Sequence, residues 1–192
     1  MDWIRHNWTA FSIIVLMIGA GWMIFTPPLP GTATGGKIPA PGEGFLAPDF
    51  ALQDAQGQTV RLSDLRGKPV MVNFWASWCA PCKAEMPAMQ EVHETYADRG
   101  FTILAVNTTF QDDRANADAF IAERGLTFPV LYDLDGETSS HYQVRSMPST
   151  FFIGADGTIR KVVYGGPMAE ALLRTEIERL LAEIERLPAE VE

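Results

Sequence analysis

Basic residues are scarce in this chain. Fifteen Lys and Arg stand against 24 Asp and Glu, a formal net charge of −9 over 192 residues. Nucleic-acid binding needs clustered cations to neutralise phosphates, so that class of partner is excluded. Cysteine is scarcer still. The only two lie in Trp78-Cys79-Ala80-Pro81-Cys82. Two are too few to staple a small secreted domain. They are half of a tetrahedral zinc site, and the other half is missing: no second pair follows, and His93 and His141 stand alone. A c-type haem needs a His directly after the second Cys, where this chain has Lys83. No internal repeat and no glycine-rich phosphate loop occur. The sequence therefore offers no ligand set for a metal or cofactor.

What is abundant is apolar sequence near the start. Trp8 to Phe25 runs for eighteen residues without a charge. As a helix this spans roughly 27 Å, close to a bilayer core of about 30 Å. Trp3, Trp8 and Trp22 lie towards its ends, as in an aromatic belt, and Pro27, Pro28 and Pro30 stop it. No polar face appears, which argues against a buried core helix. A cleaved signal peptide is the rival, but its apolar stretch is shorter and ends at a small-residue site that Gly31-Thr32-Ala33 matches poorly. We expect a short cytoplasmic end (residues 1–7), a single-pass lipid anchor (8–26) and a Pro/Gly-rich linker (27–44). Arg5 before the span leans the topology towards a catalytic domain on the extracytoplasmic, periplasmic side of the cytoplasmic membrane.

A folded domain is expected over 45–187, followed by an acidic tail, 188–192. Gly57 and Thr59-Val60-Arg61-Leu62 suggest a hairpin, and Ser63 to Lys68 one helical turn. Pro69-Val70-Met71-Val72-Asn73-Phe74-Trp75 is nearly continuous in apolar residues, the pattern of a strand buried on both faces of a mostly parallel sheet. Helices are predicted over 79–99, 114–124, 139–144 and 169–187, and strands over 101–107, 128–132, 149–153 and 159–164. Leu173, Ile177, Leu180, Ile184 and Leu187 form one stripe of the last helix. Alternating strands and helices make an α/β fold.

The two cysteines thus fall where a buried strand ends and a helix begins. The first turn of a helix leaves N–H groups unpaired and carries partial positive charge, which stabilises an anion. Cys79, at that start, is expected to have a depressed pKa and to act as nucleophile. Cys82, one turn on, is placed to resolve a mixed disulfide. Pro81 sits where a missing N–H is tolerated and stiffens the ring.

The stretch VNFWASWCAPCKAEMP resembles the thioredoxin superfamily, and within it the membrane-anchored TlpA-like and ResA-like thiol–disulfide oxidoreductases (redoxins), including those serving cytochrome c maturation. The resemblance covers about residues 45–187. It implies a thioredoxin-like fold: a central mixed, mostly parallel sheet flanked by helices, preceded here by the transmembrane helix. It implies a redox-active Cys79–Cys82 disulfide with Trp78, Ala80, Pro81, Met147 and Pro148 at the substrate. In the family a cis-proline opens the strand that Pro148 opens here. On the residues alone an ordinary trans proline at a strand head remains open. Thioredoxin itself carries a buried Asp six residues before the first Cys, and this chain has Asn73, which cannot titrate. The anchored branch carries a Glu three residues after the second Cys, and Glu85 is there. At i to i+3 it shares a side of the helix with Cys82 and could take its proton. A solvated helix glutamate is the plainer alternative. The stretch from about Asn107 to Asp133 resembles the extra strand and helix of that branch.

These features imply an enzyme that exchanges dithiol for disulfide, with oxidised protein thiols as substrate and a membrane thiol donor upstream. Two rivals stay open. A thiol peroxidase shares the opening A-P-D-F-x-L, but peroxiredoxins carry Thr where this chain has Ala76. A non-catalytic anchored binding module would need the disulfide to be inert.

Overall fold

The computed structural model describes residues 37–186. The expected cytoplasmic end, the membrane span and linker residues 27–36 lie outside the described residues, as do Leu187 and the tail. Among the described residues no helix is long and apolar enough to cross a membrane.

Strand β3, Val70–Trp75, is buried at all six positions and lies inside the sheet, between two other strands. Around it the chain lays down β1 (Ala51–Asp54) and β2 (Thr59–Arg61), then α1 (Ala80–Tyr96), β4 (Thr102–Asn107), α2 (Arg114–Arg124), β5 (Val130–Tyr132), α3 (Glu137–His141), β6 (Ser149–Ile153), β7 (Ile159–Tyr164) and α4 (Glu170–Arg186). The seven strands join in the order β2-β1-β5-β4-β3-β6-β7.

The α/β, thioredoxin-like architecture follows, but the sheet is not mostly parallel. Only β3/β4 and β4/β5 run parallel. The β1/β2, β1/β5, β3/β6 and β6/β7 pairs are antiparallel. The apolar run of β3 reports burial on two faces, which a mixed sheet covered on both sides supplies equally well. Parallel pairing is confined to the two stretches where a helix of sufficient length, α1 or α2, carries the chain back.

Alternation along β3 sorts its side chains. Met71 and Trp75 face one core with Cys82, Met86 and Met89 of α1 and Leu173, Ile177 and Leu180 of α4. Val70, Val72 and Phe74 face a second core with Phe50, Tyr142 and Phe151. Asn73 belongs by the same alternation to the α1 side, and it is fully buried. In α4 the buried stripe is Leu173, Ile177, Leu180 and Leu181. Ile184 is only half-buried. The short helix expected at 139–144 begins earlier, because Asp135 Oδ1 accepts from the Glu137 amide and starts the turn there. It stops earlier too, as Tyr142 leaves for the core.

Residues 37–44, expected as the end of a linker, are fastened to β7 and its turn. Lys37 Nζ lies 2.8 Å from Asp156 Oδ2 and 2.7 Å from Thr158 Oγ1. The Gly44 amide donates to Ile159 O, and Glu43 Oε1 accepts from the Val162 amide.

Candidate active site

Strand β3 delivers the chain to Ala76-Ser77-Trp78, and the Cys79 amide turns back to donate to Ala76 O at 3.1 Å. Cys79 is the N-cap of α1, with extended backbone (φ −80°, ψ 102°) and its Sγ accepting from the Cys82 amide at 3.2 Å. A helix N-cap needs a side-chain acceptor for an otherwise unpaired N–H, and here sulfur fills that place. Pro81 occupies the first turn. Cys79 and Cys82 are joined in a disulfide. Cys79 is 4 % exposed and Cys82 is 0 % exposed, so of the two residues only Cys79 keeps any surface.

The loop before the dithiol is held from the side. Asp112 Oδ2 accepts from the Ser77 amide at 2.6 Å, and Oδ1 from the Ser77 hydroxyl at 2.6 Å. Asn107 Nδ2 and the Asp113 amide donate to the same carboxylate. Partial burial alone would raise the Asp112 pKa, but these donors outweigh it and hold the carboxyl below its usual range. Trp78 donates from Nε1 to Gln111 O at 3.0 Å while remaining 56 % exposed. No motif in the sequence marks Asp112. Its contact with Ser77 depends on the loop after β4 reaching the end of neighbouring β3.

Glu85 is not a solvated helix residue: it is 1 % exposed. Its Oε1 accepts from Asn73 Nδ2 at 2.8 Å, and its Oε2 from the Met168 amide at 3.0 Å. Burial raises its pKa, opposed by those two hydrogen bonds. The Met147–Pro148 peptide is cis. Pro148 is buried, its carbonyl accepts from the Gly165 amide, and Met147 packs against the core cluster that holds both cysteines. A Cβ on Gly166 would lie 2.7 Å from Pro148 Cγ and 2.8 Å from Glu85 Oε2. Pro148 and Glu85 therefore border one small space that only glycine leaves open.

The sequence-predicted residues thus converge. Cys79 and Cys82 bond, Glu85 and Pro148 meet across Gly166, and Met147 lines the same core. Ala80 and Trp78 are exposed beside the dithiol. Asn73 Nδ2 also donates to Thr150 Oγ1 at 2.9 Å. The roles of Gly166, Met168, Thr150 and Asp112 carry no signal in the sequence. Among the described residues no group of three His, Cys, Asp or Glu side chains could hold a metal ion.

Comparison with known proteins bears on what such a site does. Residues 44–162 match the AhpC/TSA family. The chain is 46 % identical over 126 residues to the thiol-disulfide oxidoreductase ResA of Oceanobacillus iheyensis, covering 64 % of this chain and 65 % of that protein. It is 36 % identical over 169 residues to ResA of Geobacillus kaustophilus, covering 88 % of this chain and 90 % of that protein. Among solved structures, a putative thiol:disulfide interchange protein DsbE from Chlorobium tepidum superposes with a TM-score of 0.68 at 35 % identity, over 73 % of this chain and 98 % of that one.

Proposed function

This chain belongs to the AhpC/TSA family and, within it, to the ResA-like thiol–disulfide oxidoreductases, and from that premise we propose that it is an anchored reductase of protein disulfides working outside the cytoplasmic membrane. The carrying observation is a dithiol at a helix start whose second sulfur is buried on the same helix side as a buried carboxyl. The apolar run at residues 8–26 supports the anchor.

The chemistry is exchange. In the reduced protein the Cys79 thiolate attacks one sulfur of a client disulfide, and the other client sulfur leaves with the electron pair. Glu85 takes the Cys82 proton, and the Cys82 thiolate attacks Cys79 Sγ, releasing the second client sulfur. Two electrons have passed to the client, and the Cys79–Cys82 disulfide remains. A membrane thiol donor of lower potential restores the dithiol. Met147 and Pro148 supply the backbone against which a client segment pairs as an added strand, with Trp78, Ala80 and Pro81 at its other side. A narrower form of the reading makes apocytochrome c cysteines the clients. Peroxidase chemistry is disfavoured because Ala76 has no hydroxyl to offer a peroxide.

Cys79→Ser is expected to reduce turnover of a disulfide substrate to the uncatalysed rate. Cys82→Ser is expected to accumulate a mixed disulfide on Cys79, whose bound clients identify the substrate class. Full turnover by Cys79→Ser would refute the mechanism.

A further inference from the structure

Asn73 is a polar residue set among apolar neighbours, on the α1 side of β3 between Met71 and Trp75. Both hydrogens of its amide are engaged, one by Glu85 Oε1 at 2.8 Å and one by Thr150 Oγ1 at 2.9 Å. Its own carbonyl oxygen, Oδ1, is buried and has no hydrogen-bond partner. Buried acceptors are ordinarily paired, so an unpaired one beside a proposed proton acceptor calls for a reason.

The two oxygens of Glu85 are not equivalent. Oε2 faces the Met168 N–H, a fixed donor that demands an acceptor. A proton taken up by Glu85 therefore goes to Oε1, where it meets the hydrogens of Asn73 Nδ2. A half-turn of the Asn73 amide about Cβ–Cγ removes that conflict. Oδ1 then accepts from Oε1–H, and the Thr150 hydroxyl, which accepts in the present arrangement, can donate to the same Oδ1. The turn exchanges an unpaired carbonyl for unpaired amide hydrogens, so neither orientation is fully satisfied and neither is locked. An ionised Asp at this position offers no donor, and a Leu offers neither group.

We propose that Asn73 is the positioning residue of the proton acceptor, an amide that holds Glu85 as carboxylate through Nδ2 and as acid through Oδ1. This rests on the reading that Glu85 takes the Cys82 proton. The reversal lets one side chain receive that proton and release it again within a turnover. Other titrating groups are few around Glu85. Asn73 of β3 and the Met168 amide bond it, Pro148 at the head of β6 borders it across Gly166, and Cys82 shares its side of α1 by i, i+3 spacing. Among the described residues no Lys, Arg or His acts on it electrostatically.

The test uses the full chain, reduced, and reads two quantities. The first is the side-chain amide NMR signal of Asn73, identified by its loss in Asn73→Leu, followed against pH beside the Glu85 carboxyl carbon. Both are expected to move with one midpoint. The second is the pH profile for release of a labelled peptide from a preformed mixed disulfide on Cys79. Losing the amide removes a charge-assisted bond to the carboxylate and only a weaker one to the acid. The Glu85 midpoint should therefore rise in Asn73→Leu, and release on the rising limb should slow about tenfold at fixed pH. Asn73→Asp has the same shape and guards against a folding defect. It sets a second carboxyl against Oε1, so its limb should also move to higher pH. An Asn73 signal that stays fixed while Glu85 titrates, or a limb unmoved in either folded variant, overturns the proposal. A limb that persists unchanged in Glu85→Gln overturns the proton-acceptor reading beneath it. The NMR measurement needs no client, so failure of exchange itself would be read separately.

Discussion

Glu85 carries an ionisable carboxyl into a space with no cation beside it, and folding must meet that cost. Burial raises its pKa from the ordinary value of 4.5, against the bonds from Met168 and Asn73. An acid whose pKa is higher folded than unfolded binds its proton more tightly in the native state. The resulting stability is fully present below the unfolded value and is lost as pH rises through the folded one. The stability of the natural protein should therefore fall relative to Glu85→Gln as pH rises above the ordinary carboxylate range, measured by urea unfolding at each pH. A constant difference would show that Glu85 titrates normally. The position of Glu85 was legible from i, i+3 spacing, because a helix places both side chains on one side. Its burial was not, since that depends on Gly166 and Met168, some eighty residues away in sequence and unmarked by any local pattern.

The strand–turn–helix unit that presents the dithiol was readable as a unit: an apolar run, then Cys-x-x-Cys with Pro81 in a helix's first turn. What braces it was not. Asp112 binds the Ser77 amide and hydroxyl from the loop after β4, and sequence gives no sign of that approach. Asp112→Ala strands the Ser77 N–H and removes a charge-assisted pair, for which about 1.5–3 kcal/mol is typical and a partly exposed site gives the lower end. The loop carrying Trp78 should loosen, and exchange should slow with the cysteines intact. A melting point and a turnover rate both equal to those of the natural protein would show that the brace is idle. The sheet direction was misread at the same scale. Six consecutive buried residues in β3 specify two covered faces, and connection length decides which neighbours are parallel. The α4 stripe was correct at Leu173, Ile177 and Leu180. Leu181 rather than Ile184 completes it: Ile184 is half-buried, beside Glu183, whose carboxylate accepts from Arg160 Nε of β7 at 2.7 Å.

Across the described domain, residue 37 and the dithiol lie at opposite ends of the sheet. Val70 pairs with Ile153, so the start of β3 lies beside the turn that carries Asp156. The dithiol follows the other end of β3. Lys37 is held at the Asp156 end by an ion pair whose side chains are 46 % and 40 % exposed. Surface pairs of this kind contribute about 0–1 kcal/mol. Lys37→Ala should therefore change stability by less than about 1 kcal/mol and leave the exchange rate unaltered. A loss of exchange in that variant would mean that the two ends communicate.

The fastening of residues 37–44 along β7 also separates two tasks in space. Six residues of strand, about 20 Å at roughly 3.3 Å each, lie between that fastening and the sulfurs. A segment paired beside Cys79 would therefore leave in place the hydrogen bonds that hold Lys37, Glu43 and Gly44.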